Sequence, residues 1–346
     1  MRVAIAFNLK RDRPPDGVPE SQTEEFYLEA DSEETIEAVR TALAQRHEVF
    51  LIEAAEDAYD RFRELRPDFV FNMAEGLWGN ARESQIPAML EMLRIPYTGS
   101  DPGTLAICLD KVRTKQILAG CGIRVPRGVV LPAGGEELLF PGLLKPAAEG
   151  SSKFIYDSAL VSDLAGLNRE AARIPPPVLF EEFLPGREFT VAMLGNREDV
   201  RCLPIVEIRL DRLPAGSNPI YSYEAKWVWD RPEQPLAIFE CPARIDAGLE
   251  SRIANLCRRC WIALQLRDWA RIDLRLDARG EPAIIEVNPI PGILPRPEQN
   301  SCFPKAARTA GMDFASLVNA VLDTALARHS SADADRRVSL HQQKGK

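Results

Sequence analysis

Two strand-like segments near the end of the chain place the strongest constraint on its fold. RIDLRLD, at 271–277, and PAIIEVN, at 282–288, are short segments rich in apolar residues. The residues between them include Ala278, Arg279 and Gly280, a combination typical of a tight turn. We therefore predict an antiparallel β-hairpin in this part of the chain.

Polar side chains fall on one face of each of these strands. Successive strand residues point to opposite faces, so Arg271 shares a face with Asp273, and Glu286 shares one with Asn288. Two carboxylates and an amide oxygen on stiff strands suit Mg²⁺, which binds oxygen ligands and retains waters and phosphate oxygens. The residues alone leave a second interpretation open, a ladder of salt bridges on a half-exposed sheet.

Strand-like and helix-like segments alternate in the first third of the chain. RVAIAF, HEVFLIE and DFVFNM are short apolar runs, whereas 31–43 and 83–94 carry apolar residues at helical spacing. This alternation predicts a doubly wound parallel sheet. Ligands of such sheets gather beyond the carboxyl ends of the strands, so Glu75, Arg82 and Glu83 are predicted to face a cleft. Further helices are predicted over 102–119, 243–266 and 304–328.

Short strands with charged ends follow in the middle of the chain. Lys145 ends GLLK and precedes the loop PAAEGSSKF, whose backbone N–H groups could bind phosphate oxygens. Lys111 is predicted on a helix packed near this loop, although the residue taken alone favours a solvated lysine. Glu181, Glu182 and Glu188 flank a turn, where they could accept hydrogen bonds from a nucleoside or protect a sheet edge.

Composition argues against several classes of protein. The net charge of −8, without a basic cluster, is unlike that of a nucleic-acid-binding protein. Neither a membrane helix nor a signal peptide is predicted. The seven cysteines are scattered, which favours reduced thiols in the cytoplasm, and Cys257 and Cys260 are predicted to pack in a helix rather than bind metal.

Taken in order, these motifs resemble the ATP-grasp ligases, specifically a divergent member of the D-alanine–D-alanine ligase family. The resemblance covers about 69–328 and rests on IPYTGSDPGTLAICLDK, GLLKPAAEGSS, EEFLPGREFTV, YEAKW, FECPA, RIDLRLD and EVNPIPG. It implies an α/β fold, specifically the three-domain α+β architecture of the ATP-grasp enzymes. The expected parts are a Rossmann-like domain at 1–98, two subdomains that clamp ATP at 99–186 and 187–328, and a disordered tail at 329–346.

The resemblance implies an ATP- and Mg²⁺-dependent carboxylate–amine ligase that works through an acyl phosphate. ATP would be held by Lys111, Lys145, Glu149, Gly150, Ser151, Ser152, Glu181, Glu182, Phe183, Leu184, Glu188 and Lys226. Two Mg²⁺ ions, or Mn²⁺ in their place, would be held by Asp273, Glu286 and Asn288. Catalysis would involve Arg271, Ser151, Lys226 and the Gly292 N–H. Small-molecule amino acid or carboxylate substrates and a homodimer are also implied.

The substrate side departs from the family. Glu75 stands where the family has histidine, and this carboxylate could pair with Arg82 or favour a cationic substrate. Trp227 replaces a tyrosine, and it is predicted to lack that tyrosine's hydroxyl contact with the Ser151 loop. Ser301 is a displaced candidate for binding the second substrate.

Three functions therefore stay open at this point. They are D-alanine–D-alanine ligation, ligation of other amino acids or carboxylates in specialised biosynthesis, and non-catalytic ATP binding, which the full metal set disfavours. Either Glu29 or Asp31 could replace the family's N-terminal glutamate.

Overall fold

The computed structural model describes residues 1–13, 26–133, 137–230 and 235–343, with side chains up to 330. Its strands are β1 (Arg2–Phe7), β2 (Glu48–Glu53), β3 (Phe69–Asn72), β4 (Gly128–Leu131), β5 (Gly142–Pro146), β6 (Leu160–Val161), β7 (Val178–Glu182), β8 (Glu188–Asn196), β9 (Arg201–Cys202), β10 (Val206–Ile208), β11 (Phe239–Glu240), β12 (Arg267–Leu276) and β13 (Pro282–Asn288). Its α-helices are α1 (Glu33–Ala44), α2 (Ala58–Leu65), α3 (Gln85–Leu93), α4 (Pro102–Leu109), α5 (Lys111–Gly120), α6 (Leu164–Ala171), α7 (Ala247–Ala263), α8 (Cys302–Thr309) and α9 (Phe314–Gln343). None of these helices has the length and apolarity needed to cross a bilayer.

The first sheet is parallel, with the strand order β2-β1-β3. Its central strand β1 is almost wholly buried, as expected where helices cover both faces of a parallel sheet. The carboxyl end of β3 leads directly to Glu75, so this carboxylate lies at the edge where ligands of such sheets collect. The predicted parallel sheet and the α/β class are confirmed.

The second sheet is antiparallel, with the order β4-β7-β5-β6. Helices α4 and α5 precede it and occupy the region where the sequence predicted one continuous helix over 102–119. The helix is interrupted at Asp110, whose backbone is extended and whose side chain accepts hydrogen bonds from the backbone N–H groups of Val112 and Arg113. Such N-capping starts a new helix, so Lys111 stands at the first position of α5.

The third sheet has the order β11-β10-β8-β12-β13, with β9 paired to β8. The predicted hairpin is confirmed, because β12 and β13 pair antiparallel with Asp273 opposite Glu286 and Arg271 opposite Asn288. A bulge follows Asp273, so the strands keep both polar pairs on one face while the later pairing shifts by one residue.

The C-terminal helix differs from the sequence prediction. Helix α9 is described to Gln343, whereas residues 329–346 were predicted to form a disordered tail. No glycine or proline interrupts the segment between Phe314 and Gln343, so the backbone meets no strong helix breaker. In α7, Cys257 and Cys260 are fully buried, which confirms their predicted place in the core.

The buried carboxylate of Asp268 connects three distant segments of the fold. Asp268 of β12 is inaccessible to solvent and accepts hydrogen bonds from the Gly99 backbone N–H, the Asn196 amide and the Arg328 guanidinium. These partners belong to three distant segments: the loop before α4, strand β8 and helix α9. One side chain therefore fixes the position of α9 against the third sheet.

We expect Asp268→Asn to lower the free energy of unfolding by about 3 kcal/mol or more, because it leaves the Arg328 guanidinium without its buried charge partner. Asparagine tolerates the positive φ of 62° at this position, so backbone strain does not confuse the result. Urea unfolding monitored by circular dichroism measures the change.

The matched control is Asp323→Asn on α9, the helix that carries Arg328. Asp323 pairs with Arg46 at 2.8 Å, and both side chains are about half exposed (47% and 49%). Exposed pairs contribute at most about 1 kcal/mol. Equal losses in the two variants would show that Asp268 does not have this anchoring role.

Candidate active site

A cavity of about 290 Å³ lies where the three sheets converge. The residues predicted from the sequence that line it are Glu29, Asp31, Glu75, Glu83, Lys111, Lys145, Gly150, Ser151, Ser152, Glu181, Glu182, Phe183, Leu184, Glu188, Lys226, Trp227, Arg271, Asp273, Glu286, Asn288, Gly292 and Ser301. Two further predicted residues, Arg82 and Glu149, contact each other behind this wall. The sequence motifs thus come together in one place, while their individual roles stay predictions.

The polar groups of the hairpin form a connected network. Asp273 accepts hydrogen bonds from Arg271 at 3.0 Å, from the Thr190 hydroxyl at 2.5 Å and from the Asn288 amide at 3.0 Å. Thr190 was not predicted from the sequence as a site residue. Its position two residues after Glu188, on the same face of β8, could have indicated it. The Asn288 amide nitrogen faces Asp273, so its oxygen is the atom that could still accept a ligand.

Glu286 is held in its charged form. Its carboxylate pairs with Lys111 at 2.8 Å, and Lys111 also donates to the Glu149 backbone oxygen. Burial alone would raise the pKa of Glu286, but the charges of Lys111, Lys145 and Arg271 outweigh it and lower this pKa to about 2. A carboxylate that stays ionised is a suitable ligand for a divalent cation.

Two lysines grip the same buried glutamate. Lys115 contacts the Glu181 carboxylate at 3.0 Å, Lys145 contacts its other oxygen, and both lysines are at least nine-tenths buried. Burial acts to raise the pKa of Glu181, but the two ammonium groups lower it. Lys115 was missed from the sequence, although its spacing of four residues from Lys111 places both on one helix face.

A second buried ion pair stands beside the apolar part of the cavity. Glu188 pairs with Arg275 at 3.1 Å across the register of β8 and β12. The Arg275 guanidinium also lies 4.5 Å from the centre of the Phe183 ring, which lines the cavity with Leu184. Burial raises the pKa of Glu188, with Arg275 acting in the opposite direction. Arg275 therefore orients both an acidic group and an aromatic ring.

The glycine-serine loop is held in an unusual conformation. Ser151 and Ser152 have positive φ angles of 53° and 58°, a backbone conformation that residues other than glycine adopt rarely. A Cβ atom on Gly150 would lie 2.0 Å from a carboxylate oxygen of Glu29, so a side chain at position 150 would force this carboxylate to move. The Ser152 hydroxyl donates to the Tyr221 backbone oxygen at 3.0 Å.

Trp227 contacts this loop by a route that the sequence analysis did not foresee. Its indole N–H donates to the Ser151 backbone oxygen at 2.9 Å. The prediction concerned a hydroxyl contact, which tryptophan indeed lacks, but the indole reaches the loop through another atom. Beside it, the Lys226 ammonium lies 5.1 Å from the centre of the Trp227 ring. The pKa of Lys226 is lowered to about 8, mainly by burial and to a smaller extent by the charge of Arg271.

The substrate side carries the remaining predicted residues. The sequence left open whether Arg82 pairs with Glu75; its side-chain hydrogen bonds go instead to Glu29 at 2.6 Å, to Glu149 at 3.3 Å and to the Ala148 backbone oxygen at 3.3 Å. Ser301 is buried, and its hydroxyl donates to the Gly292 oxygen at 3.0 Å and accepts from the Leu294 N–H at 3.2 Å. Ser301 thus closes the loop after β13.

We expect Trp227→Phe to make the glycine-serine loop open more readily. Losing one hydrogen bond costs about 1 kcal/mol, which corresponds to roughly a fivefold rise in the open population. Trypsin cleavage after Lys153, followed by mass spectrometry of the fragments, measures this opening. Trp78→Phe, at a side chain that is 51% exposed, is the control. An unchanged cleavage rate in Trp227→Phe would contradict the proposed restraint.

Comparison with known proteins agrees with this geometry. The family described as D-ala D-ala ligase C-terminus matches residues 130–323. An uncharacterized protein of Sinorhizobium fredii, y4sG, is 38% identical over 75% of each chain. The D-alanine–D-alanine ligase of Bordetella petrii is 35% identical over 77% of this chain and 78% of its own.

Solved structures agree in fold. The D-alanine–D-alanine ligase of Bacillus anthracis, complexed with ATP, superposes with a TM-score of 0.69 at 24% identity. That match covers 96% of this chain and 99% of the other, so it shows the fold. From the matched family and the relatives above 30% identity, the chain belongs to the D-alanine–D-alanine ligase family.

Proposed function

We propose that the chain is an ATP-dependent ligase that forms an amide bond between an amino acid carboxylate and an amine through an acyl phosphate. Its relatives from Bordetella petrii and Stutzerimonas stutzeri are named D-alanine–D-alanine ligases, and this activity or a close variant of it is the proposal. The observation that carries it is the polar face of the hairpin, where Arg271, Asp273, Glu286 and Asn288 meet.

The cavity is suited to a nucleoside triphosphate. Phe183 and Leu184 offer apolar surface for a base, while Glu188 and Glu182 supply acceptors near it. On the other side, Lys111, Lys145 and Lys226 supply ammonium groups for the phosphates. A binding site of this type needs an apolar region with a few well-placed charges, and both are present.

The donor set on the hairpin fits Mg²⁺. Asp273 and Glu286 provide two carboxylates and Asn288 an amide oxygen, all hard oxygen ligands on adjacent strands. No group of three His, Cys, Asp or Glu side chains with metal-site geometry occurs among the described residues. This sparse protein set suits an ion that takes further ligands from phosphates and water. Two Mg²⁺ ions there would neutralise charge on the transferring phosphoryl group.

The chain's own residues act by position and charge. Arg271 is fixed by Asp273, so its guanidinium is a rigid donor for a negatively charged oxygen on the reacting carboxyl group. The Gly292 N–H would be a second donor at this point. The glycine-serine loop, held by Trp227, would exclude water, which is needed because an acyl phosphate hydrolyses readily.

We also propose a cytoplasmic location and a homodimer. All seven cysteines are free thiols, as expected in a reducing compartment where ATP is abundant. The homodimer rests on the family resemblance alone. The substrates would be small amino acids or other carboxylates.

We expect Glu286→Gln to lower ADP release by about 100-fold or more. A neutral amide binds Mg²⁺ more weakly than a carboxylate does, so less cationic charge would be held at the reacting phosphate. The assay contains ATP, Mg²⁺ and a panel of amino acids, and mass spectrometry detects the condensed product. Glu281→Gln, on the exposed end of the same strand pair, is the matched control. ADP release that survives in Glu286→Gln would rule out the assigned metal role.

We expect ATP affinity to fall as the pH rises through about 8, the pKa of Lys226. Below this pKa the ammonium is charged and attracts phosphate, while above it the neutral amine must take up a proton on binding, which costs up to roughly tenfold in affinity per pH unit. Calorimetric titration between about pH 7 and about pH 9 measures the dependence. In Lys226→Arg the dependence should flatten, since guanidinium stays charged. The same slope in both proteins would assign the titration to another group.

A further inference from the structure

The first part of the chain contributes only acidic groups among its charged side chains at the cavity wall. From the described residues before 99, the carboxyl groups of Glu29, Asp31, Glu75 and Glu83 line the cavity. We call these four residues the acidic wall. The lysines and arginines that line the cavity come from later segments.

The nearby cations do not balance this wall. Arg82 is bound by Glu29 at 2.6 Å and shared with Glu149 at 3.3 Å. Lys111 is committed to Glu286 and to a backbone oxygen. Among the described residues, the pair of Arg82 and Glu29 is thus the one salt bridge that these four carboxyl groups form.

Glu83 shows this lack directly. Its side chain is more than nine-tenths buried, and one carboxyl oxygen, Oε2, is buried without a hydrogen-bond partner among the described residues. Leaving a polar atom buried and unpaired costs about 1–3 kcal/mol, and native structures usually satisfy such an atom with protein, ordered water or a bound ligand. Glu83 lines the cavity, so its carboxyl group belongs to the wall that a ligand would meet.

The carboxyl groups also act on one another. Burial raises the pKa of Glu83 to about 8, and the charge of Glu29 adds to the effect. Burial likewise raises the pKa of Glu75, with Glu29, Glu83 and Asp31 acting in the same direction and Arg82 against them. Mutual repulsion of this kind is relieved by a cation placed among the carboxylates.

The spacing of the wall favours an organic cation over a metal ion. A metal ion that has no phosphate oxygens to complete its shell needs several protein ligand atoms gathered within about 2.6 Å of one point. No three acidic, histidine or cysteine side chains among the described residues are gathered in this way. Separate carboxylates instead suit two ammonium groups on one small molecule, each paired with its own carboxyl group.

We propose that the acidic wall selects a diamino carboxylic acid as the substrate whose carboxylate is activated. The inference rests on the ligase function proposed above. The α-ammonium group would take one carboxylate, and the second ammonium, on the side chain, would be paired by Glu75 and Glu83. An amino acid with a single ammonium would leave that second pair of carboxyls uncompensated.

The test measures activation of the carboxylate alone, with hydroxylamine as the amine. Hydroxylamine attacks the acyl phosphate to give a hydroxamate and releases phosphate, so no second amino acid is needed. The panel pairs each diamino acid with its isostere in which methyl replaces the side-chain ammonium: 2,4-diaminobutyrate with norvaline and ornithine with norleucine, in both D and L forms.

We expect kcat/KM for the diamino acid to exceed that for its isostere by about tenfold or more, the equivalent of one partly buried ion pair at about 1.4 kcal/mol. The ratio should fall towards one in Glu75→Gln, whose side chain is nearly the same size but uncharged. Because the measure is a ratio within one protein, a general loss of activity in the variant does not imitate the effect.

The outcomes separate this inference from the proposed function. Hydroxamate formation that favours the isosteres or alanine would overturn the role of the acidic wall and leave the ligase function intact. No hydroxamate and no ADP with any amino acid, while ATP still binds, would overturn both. Calorimetric binding of ornithine and norleucine to the protein with a non-hydrolysable ATP analogue gives a second measurement that needs no turnover.

Discussion

Strand β12 is the element on which the rest of the site depends. It pairs with β8 on one side and β13 on the other, so Asp273 stands between Thr190 and Glu286 in the same row. The opposite face of β12 carries Ile272 and Leu274, both fully buried in the core. A slip of one residue would exchange the two faces, so burial of the apolar side fixes the positions of the catalytic candidates.

Buried lysines and glutamates at the cavity wall pair with one another, and these pairs keep cationic groups in place at the wall. Lys145 and Lys115 share Glu181, and Lys111 holds Glu286. Each pairing offsets the desolvation of its members, so cationic groups can stand at a cavity wall before any ligand arrives. A polar environment that is already oriented needs little rearrangement during the reaction, which is the main way such residues accelerate it.

Much of the fold and the location of the site were predictable from the sequence, because both depend on local patterns. Alternating side chains predict the hairpin face that holds Glu286 and Asn288, and order along the chain carries the family resemblance. Contacts between distant side chains were not predictable. The use of Glu29 as the partner of Arg82, and the indole contact of Trp227, depend on which atoms meet after three sheets have packed.

The contact between Glu29 and Gly150 joins two parts of the protein that sequence motifs treat as separate. The carboxylate occupies the space that any side chain at position 150 would need. Glu29 belongs to the acidic wall that is proposed to face the substrate, whereas Gly150 belongs to the loop expected to cover phosphates. A side chain at position 150 would therefore have to displace the Glu29 carboxylate, which pairs with Arg82. A change of substrate preference made at Glu29 would at the same time reshape the cover over the nucleotide.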